Sequence, residues 1–527
     1  MFFDSIAVIL PLIFFALAIW FLLLSGLLLI QRVFIKVIIR EDPVEMKLSG
    51  IFYGVANMIL ICLSMTFAVC LIAGALAVPL LMRFYSSYAE SDPGKYDAAQ
   101  TRIHGTARTD RAAITIKVPN DYGTIQEALS AASNGDTVVV QDGTYSGGGN
   151  RNLDFKGKAI TLRSENGPEN CIIDCESKGR GFFFHSGETS KSVLDGFTVT
   201  DGYVTGSDFE SFGAGIFCVG GSSPTIVNCV ITNNRADYGA GINCWYSAPS
   251  INDCSLVGNS AVKEGGAIYC SKSSPVIKNC IIDDNSSMRR GGGIHCTNGS
   301  SPTIFNCAVA NCTSKDDGGA IHCSESSPVI KNCVIDDNSS MRSGGGIHCT
   351  NGSSPTIFNC VVANCTSKDD GGGIYCWFSS PDIDSCTISG NTAAAKGGGV
   401  ACYSSSPTIR NSIVWDNSSS IGSELYLGFN SSASVAHTNI SLATPKVNVD
   451  SDCVLTPGSG IIDANPFFVS GSKGDYYLSQ IGSGQANDSP CLNAGSGTAA
   501  EFGLDSYTTR TDHASDAGTV DLGYHYY

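Results

Sequence analysis

Charged residues are scarce in this chain, and basic residues are the minority among them. Asp, Glu, Lys and Arg make up 15% of the 527 residues, and 48 acidic against 32 basic residues give a formal net charge of −16. Proteins that bind nucleic acid do so largely through basic contacts to phosphate. We therefore expect no nucleic-acid partner for this chain.

Cysteine is too infrequent for a disulfide scaffold, and the cysteines show no four-ligand zinc spacing. The 23 cysteines fall below the roughly 8–10% of residues that is typical of such scaffolds. Their spacing is more informative than their number. A glycine-rich turn, an apolar residue, any residue and a cysteine recur eight times at intervals of 26 or 27 residues, ending at Cys218, Cys244, Cys270, Cys296, Cys323, Cys349, Cys376 and Cys402.

A second ladder of cysteines follows the first by about ten residues in each repeat, usually after an asparagine. Its members are Cys229, Cys254, Cys280, Cys307, Cys333, Cys360 and Cys386, with Ser412 in the eighth place. A period in this range predicts stacked units that cannot fold singly. The Leu-x-x-Leu-x-Leu pattern of leucine-rich repeats, the main rival among stacked folds, is missing.

Each repeat contains three short strand candidates, separated by glycines, serines and Asn-Ser turns. In one repeat they are residues 267–270, 275–278 and 280–282. Strands this short can pair only with their counterparts one repeat further on, which gives parallel in-register sheets spaced by about 4.8 Å. The asparagine before each second-ladder cysteine is expected in a left-handed bend. The predicted fold class is all-β, a parallel solenoid of roughly 26-residue coils.

Two long apolar runs set the first 85 residues apart. Residues 6–30 and 51–82 are almost wholly apolar, and each exceeds the roughly 20 residues that cross a bilayer. No basic region precedes the first run, as a cleaved signal peptide would require. The basic loop between the runs predicts two transmembrane helices with the loop in the cytoplasm and both ends outside. The alternative is a buried hydrophobic hairpin in a soluble protein.

The rest of the chain divides into a tether, a cap, the repeat array and a terminal region. A helical pattern over 124–133 and a β-rich run over 137–140 indicate a cap, because the open end of an array exposes unpaired strand edges. A last strand is expected over 520–527. The predicted domains are 1–85 as membrane anchor, 86–113 as flexible linker, 114–150 as N-terminal cap, 151–420 as coiled array with regular repeats at 213–412, and 421–527 as terminal coils and C-terminal cap.

The residue just before each first-ladder cysteine is repeatedly a ring. Residues two apart on a strand share a face, so the apolar residue and the cysteine point inward and the residue between them points outward. We expect a solvent-facing stripe of rings about 4.8 Å apart, which either stacks against sugars or stacks only on itself. No metal site is expected on its three histidines, since no carboxylate is fixed among them. The candidate ligand-binding residues are Tyr269, His295, His322, His348 and Tyr375, with the adjoining Trp245 and Trp377.

Charged pairs stand six and seven residues before the first-ladder cysteines, and their sign alternates between coils. Stacking then places arginine over aspartate, which supports the register. The alternative is a catalytic site in which an aspartate acts as acid, base or calcium ligand beside an arginine. Residues 274–317 recur almost verbatim at 327–370, so such a site would occur twice. The candidates are Asp316, Asp317, Asp369, Asp370, Arg289 and Arg342.

The cysteines of the two ladders can be interpreted as buried free thiols or as disulfides. Facing inward, they behave as small buried hydrophobes. Adjacent coils also bring Cα atoms within disulfide range, and an extracytoplasmic location favours oxidation. We expect mostly free thiols, because core packing opposes the rotation that a disulfide needs. The pairs Cys171 with Cys175 and Cys453 with Cys491 stay open.

Several segments resemble right-handed parallel β-helix repeat proteins of the pectin-lyase-like superfamily. The resemblance spans about residues 115–527 and rests on TIQEALSAASNGDTVVVQDGTY, GKAITLRSENGPENCIID, the coils GGGIHC…SSPTIFNC and the tail SPCLNAGSG…TVDLGYHYY. The glycine-rich repeats are also similar to chlamydial polymorphic outer-membrane proteins, which are surface adhesins but lack this cysteine ladder. The resemblance implies a right-handed coil.

The same resemblance implies two classes of function. Some members of the superfamily are polysaccharide lyases or hydrolases, and lyases on this fold use acidic calcium ligands with a basic residue as base. Many others are non-catalytic binding proteins. The Gly-His-Gly and Arg-Ile-Lys motifs of the hydrolase branch are absent from this sequence, which counts against a polygalacturonase-type enzyme.

These features predict a membrane-anchored, extracytoplasmic β-helix. Its expected role is non-catalytic binding of a polysaccharide or another cell-surface partner, with no cofactor. The alternative is a polysaccharide lyase or a related carbohydrate-active enzyme, for which calcium would be the cofactor. A structural spacer is the third possibility.

Overall fold

The computed structural model describes residues 112–527. The predicted membrane spans at 6–30 and 51–82 lie outside the described residues, as does most of the predicted linker. Residues 112–527 contain no helix with both the length and the apolar character needed to cross a bilayer.

The described chain coils through four parallel sheets, numbered 1 to 4 in the order in which a regular coil visits them. Sheet 1 carries the first cysteine ladder. Its eleven strands are Phe182–Phe184, Ile216–Val219, Ile242–Trp245, Ile268–Ser271, Ile294–Thr297, Ile321–Ser324, Ile347–Thr350, Ile374–Trp377, Val400–Tyr403, Leu425–Gly428 and Val447–Val449.

Sheets 2 and 3 follow in each coil and meet at the bend before the second cysteine ladder. The 14 strands of sheet 2 are Thr115–Val118, Thr137–Val140, Thr161–Ser164, Val193–Asp195, Thr225–Val227, Ser250–Asn252, Val276–Lys278, Thr303–Phe305, Val329–Lys331, Thr356–Phe358, Asp382–Asp384, Thr408–Arg410, Ser432–Ala436 and Val454–Pro457. The 13 strands of sheet 3 are Gly143–Tyr145, Cys171–Asp174, Thr198–Thr200, Val230–Thr232, Ser255–Val257, Ile281–Asp283, Ala308–Ala310, Val334–Asp336, Val361–Ala363, Thr387–Ser389, Ile413–Trp415, Thr438–Asn439 and Ile461–Ile462.

Sheet 4 was not expected from the sequence, which predicted three strands per coil. Its central strands are only two residues long and made of Ser and Thr, so they carry no alternation of apolar and polar residues that could reveal them. The seven strands are Arg235–Tyr238, Ser260–Glu264, Ser286–Ser287, Thr313–Ser314, Ser339–Ser340, Thr366–Ser367 and Thr392–Ala393.

The coils stack in register, and their inward side chains form one continuous core. Ile294 pairs with Ile321 and Cys296 with Cys323 in the next coil, and all four are fully buried. Every cysteine among residues 112–527 is a free thiol, including the two pairs left open above. The predicted left-handed bend is confirmed at the asparagines before the second ladder, with φ near +50° at Asn228, Asn279, Asn306, Asn332, Asn359 and Asn411.

The predicted N-terminal cap elements are confirmed. The helix Ile125–Ala131 begins at Thr124, whose side chain accepts a hydrogen bond from the Glu127 amide while the Glu127 carboxylate accepts one from the Thr124 amide. This reciprocal arrangement satisfies two helix donors that would otherwise be unpaired. The strand Thr137–Val140 follows at the predicted residues.

The C-terminal segment differs from the prediction. Beyond the last coil lie an antiparallel hairpin, Phe468–Gly471 with Gly474–Leu478, the 3₁₀ turn Ile481–Ser483 and the helix Ala499–Phe502; a further 3₁₀ turn, Asp208–Ser211, lies between early coils. Residues 520–527 form no extended strand. They lie along the bend between sheets 2 and 3, where the His525 amide donates to Asn359 Oδ1 at 2.7 Å and the Tyr524 amide to Thr387 Oγ1 at 3.0 Å. Other amides of the segment donate to backbone carbonyls, among them Gly523 to Asn411 and Tyr526 to Thr508.

Candidate functional site

The predicted rings form a continuous stack on the outward face of sheet 1. We name this stack the ring column; its members are Tyr269, His295, His322, His348 and Tyr375. Successive ring centroids are 5.3, 4.8, 4.8 and 4.7 Å apart, and the two histidine pairs lie within 21° of parallel. The predicted spacing is therefore confirmed.

The expectation that this stripe faces solvent is wrong. All five rings are buried, with at most 8% of each residue exposed. The cause is the glycine-rich turn before each strand, which folds back over the ring. At Gly318, for example, a Cβ atom would lie 2.8 Å from His322 Cβ, and φ is +68°. Only glycine allows the turn to approach the strand so closely, and the rings beneath are closed to the face of a sugar.

The second residue of each charged pair lies beside the ring column. We name these residues the inner charged row; they are Glu264, Arg290, Asp317, Ser343, Asp370 and Lys396. Arg290 contacts carboxylates of both neighbouring coils, with nitrogen–oxygen distances of 3.7 Å to Glu264 and 3.8 Å to Asp317. The row also contacts the rings, because His295 Nε2 lies 3.6 Å from Glu264 and His348 Nδ1 lies 3.8 Å from Asp317.

The position of Asp317 shows that the reason given against a metal site on the histidines, the lack of a nearby carboxylate, is wrong. The sequence showed no carboxylate fixed among them, because Asp317 stands five residues before His322 and in a different coil from His348. The structure brings one ligand atom each of Asp317, His322 and His348 within 4.8 Å of one another. This proximity depends on the turn that folds over the ring column, which spacing along the chain does not reveal.

The three histidines are held neutral by their surroundings. Burial, followed by the Arg290 charge, lowers the pKa of His295 to about 3. Burial, followed by the two neighbouring histidines, lowers the pKa of His322 well below its usual value. Burial also lowers the pKa of His348, although the Asp317 carboxylate opposes the shift. Desolvation disfavours the charged imidazolium in each case.

The first residue of each charged pair points to solvent and forms an outer charged row of Arg289, Asp316, Arg342 and Asp369. Backbone hydrogen bonds connect these residues coil to coil, from Asp316 N to Arg289 O at 2.8 Å and from Arg342 N to Asp316 O at 3.0 Å. The predicted alternation of arginine over aspartate is therefore confirmed. Arg289 Nε and Asp316 Oδ2 are 3.9 Å apart and largely exposed, so this pair adds little stability.

The catalytic candidates are divided between the two rows. Asp317 and Asp370 lie in the inner row, where Asp370 Oδ2 accepts a hydrogen bond from the Tyr403 hydroxyl at 2.5 Å. Asp316, Asp369, Arg289 and Arg342 lie in the outer row on the far side of each turn. The structure thus does not gather the six residues into one cluster.

A polar strip bounded by aromatic residues runs along sheet 1, two residues after the ring column in each strand; Ser271 is buried, and the other members are half-buried or exposed. Its members, in coil order, are Trp245, Ser271, Thr297, Ser324, Thr350 and Trp377. Five coil steps of about 4.8 Å place the two tryptophans roughly 24 Å apart. Asn298 and Asn351 flank the strip, each donating to a serine of the preceding coil at 2.9 Å.

Exposed rings surround both ends of the polar strip. Trp377 is 38% exposed and lies beside Phe378 and Phe429, which are 55% and 59% exposed. At the other end, Trp245 packs against Phe209, which is half exposed, and adjoins Tyr246. Phe209 and Phe429 were missed in the sequence. Phe429 could have been found, because it occupies the same coil position as Tyr246 and Phe378.

A surface cavity of about 690 Å³ lies elsewhere, at the N-terminal cap. Tyr122, Gln126 and Glu127 are among its lining residues. It contains none of the candidate residues, so the polar strip is separate from this cavity.

Two family models match the coils. Residues 260–385 match the model described as a right handed beta helix region, and residues 385–403 match the Chlamydia polymorphic membrane protein repeat. With the parallel register above, these matches define the class of protein: the chain contains a right-handed parallel β-helix. The resemblance inferred from the sequence is confirmed.

Several solved structures are similar to this chain at low sequence identity. Pectate lyase Pel9A is 14% identical over 78% of this chain and 97% of its own, with a TM-score of 0.37. The catalytic domain of a GH87 alpha-1,3-glucanase in complex with nigerose is 12% identical over 68% of this chain and 69% of its own, with a TM-score of 0.44. The A-module of the Azotobacter vinelandii mannuronan C-5 epimerase AlgE6 is 15% identical over 63% and 93%, with a TM-score of 0.30. No curated protein matches the chain.

Proposed function

We propose that this β-helix is a non-catalytic binding module for a polysaccharide or a similar surface partner, displayed outside the cytoplasm and anchored to the membrane by residues 1–85. The observation that carries the proposal is the polar strip, with an exposed tryptophan cluster at each end. Flat rings offer large rigid contact area, and the hydroxyls and amides between them supply hydrogen bonds. A strip about 24 Å long suits an extended chain ligand.

The surroundings of the strip support a binding role over a catalytic one. Side chains on its floor are Ser and Thr, which hold no charge for acid–base work. The outer charged row alternates in sign from coil to coil, which avoids like charges in register and favours a structural role. The match to a repeat of chlamydial polymorphic membrane proteins supports display at a cell surface.

Replacing Trp377 with alanine tests the binding role. We expect Trp377→Ala to weaken binding to the best glycan found on an array by about tenfold, or about 1.4 kcal/mol, because the exposed ring is the contact surface. Isothermal titration of the full-length chain measures the change. Phe467→Ala is the matched control, since Phe467 is 42% exposed but lies outside the strip.

Unchanged glycan affinity in Trp245→Ala combined with Trp377→Ala would remove the strip from the proposal. Release of unsaturated products from uronate polymers, lost in Asp316→Asn combined with Asp369→Asn, would instead establish the lyase alternative. A chain that binds no glycan and releases no product would be a spacer.

A further inference from the structure

We propose that Asp317, His322 and His348 bind one divalent transition-metal ion, with zinc as the best match to their chemistry. Imidazole and carboxylate are both ligand types that zinc prefers, whereas calcium and magnesium require oxygen ligands. One ligand atom from each residue already lies within 4.8 Å of the other two. This inference is independent of glycan binding, because the cluster lies under the glycine turns and not on the polar strip.

An unsatisfied nitrogen points to a ligand at this position. His322 is 1% exposed, and its Nδ1 atom is buried without a hydrogen-bond partner among the described residues. A buried polar atom left unpaired costs roughly 1–3 kcal/mol. His348 Nδ1, by comparison, lies 3.2 Å from the Ser343 carbonyl and 3.8 Å from Asp317. A metal ion bound at His322 Nδ1 would engage a nitrogen that has no hydrogen-bond partner among the described residues.

The Asp317 carboxylate supplies negative charge beside the two imidazoles of the cluster.

The copied block shows why the cluster forms only once in the described coils. Fifty-three residues after Asp317, the equivalent acid is Asp370, but the positions equivalent to the two histidines are Tyr375 and Ala401. Asp370 instead accepts a hydrogen bond from the Tyr403 hydroxyl. The second copy therefore has the carboxylate without the imidazoles, and it provides a natural control.

One difference between the two copies means that Asp317 has an arginine of the inner charged row on one side only. Arg290 in the first copy is replaced by Ser343 in the second. Arg290 lies 3.8 Å from Asp317 on one side; Ser343, on the other side, brings no charge and donates its backbone amide to Asp317 Oδ1 at 3.4 Å. An arginine at 343 would place another guanidinium beside Asp317 and oppose a cation there.

The three ligand atoms must move slightly closer together to bind one zinc ion. Zinc bonds of roughly 2.0–2.1 Å place tetrahedral ligand atoms roughly 3.4 Å apart, so ligand atoms that now lie within 4.8 Å of one another draw together by at most about 1.4 Å on binding. Three protein ligands leave a fourth position for water.

Zinc titration of the full-length chain, freed of metal with a chelator that is then removed, tests the site. We expect one zinc per chain by calorimetry, with the dissociation constant raised at least tenfold in Asp317→Asn and in Ser343→Arg. The controls Asp370→Asn and Ser343→Ala should stay within twofold of the wild type. Ser343→Arg introduces the residue found at the equivalent position of the first copy, so the coil tolerates it.

Cobalt spectroscopy separates this site from the buried thiols. Cobalt bound by two histidines and a carboxylate shows no thiolate-to-metal charge-transfer band, and we expect none. Such a band, the absence of stoichiometric zinc, or an equal effect of Asp317→Asn and Asp370→Asn would each overturn the proposal.

Discussion

Acidification from pH 7 to pH 4.5 is expected to lower the free energy of unfolding by about 2.5 kcal/mol through His295 alone. Its pKa is about 3 in the fold and near 6.5 in the unfolded chain. Because the folded value is depressed, the unfolded state binds the proton first, and stability falls as the pH drops from about 6.5 toward 3. One pKa unit corresponds to about 1.4 kcal/mol.

Burial sets the direction of the His295 pKa shift, and the charged groups that face the ring modify its size. Arg290 lies in the preceding turn and adds to the cost of a second positive charge, whereas Glu264 lies 3.6 Å from the ring and offsets part of it. Burial raises the pKa of Glu264. On acidification this carboxylate is therefore protonated more readily, and it then no longer offsets a positive charge on His295. His322 and His348 shift in the same direction, and their contacts with each other make the combined loss non-additive.

Urea unfolding followed by tryptophan fluorescence, at several pH values and with a chelator present, measures this loss. His295→Phe keeps a ring in the column, as Phe217 does three coils earlier on the same sheet, and removes the titrating group. We expect the variant to lose less stability than the wild type between pH 7 and pH 4.5. His513→Phe, at an exposed histidine outside the column, is the control. Identical pH profiles for wild type and His295→Phe would contradict the prediction.

Gly318→Ala is expected to destabilise the β-helix by about 3 kcal/mol. At φ of +68°, a residue with a Cβ atom pays about 1 kcal/mol of backbone strain. The new methyl group would also lie 2.8 Å from His322 Cβ and 2.9 Å from the Ile321 carbonyl oxygen, and such overpacking costs roughly 1–3 kcal/mol. The turn must lift away from the ring column to relieve the contact.

Gly299→Ala separates the two causes. Gly299 has a φ of +76°, but nothing lies within 4 Å of the added Cβ, so only the strain of about 1 kcal/mol applies. Chemical denaturation of both variants gives the difference. Equal losses would show that the turn does not press on the ring column, and the explanation of ring burial would fail.

The coil geometry was predictable because it depends on sequence patterns between nearby residues. The 26- or 27-residue period, the Ile-x-Cys alternation and the asparagine bends each depend on neighbouring residues, and the structure confirms the register, the inward cysteines and the positive φ values. The alternating outer charged row follows from the same period. Sheet 4 was missed because strands such as Ser286–Ser287 have no apolar face.

The candidate site was only half predictable. The alternation of side chains along a strand correctly predicted that His322 points away from the core. The exposure of its ring, however, depends on which residues cover it. The path of the glycine turn, the approach of Asp317 to two histidines and the exposed clusters around Trp245 and Trp377 all join residues from different coils. Ser343 had a visible signal, because it is a charge change within an otherwise copied block.

The order of residues alone determined that this chain forms a stack of parallel coils, since each coil repeats the same local pattern and can pair its strand edges only with those of its neighbours. It also determined which side chains enter the core. Only the tertiary structure decided that the ring column is covered, that Asp317 lies beside His322 and His348, and that exposed rings surround both ends of the polar strip. Those outcomes depend on how turns and side chains of successive coils pack against each other, which no single repeat encodes.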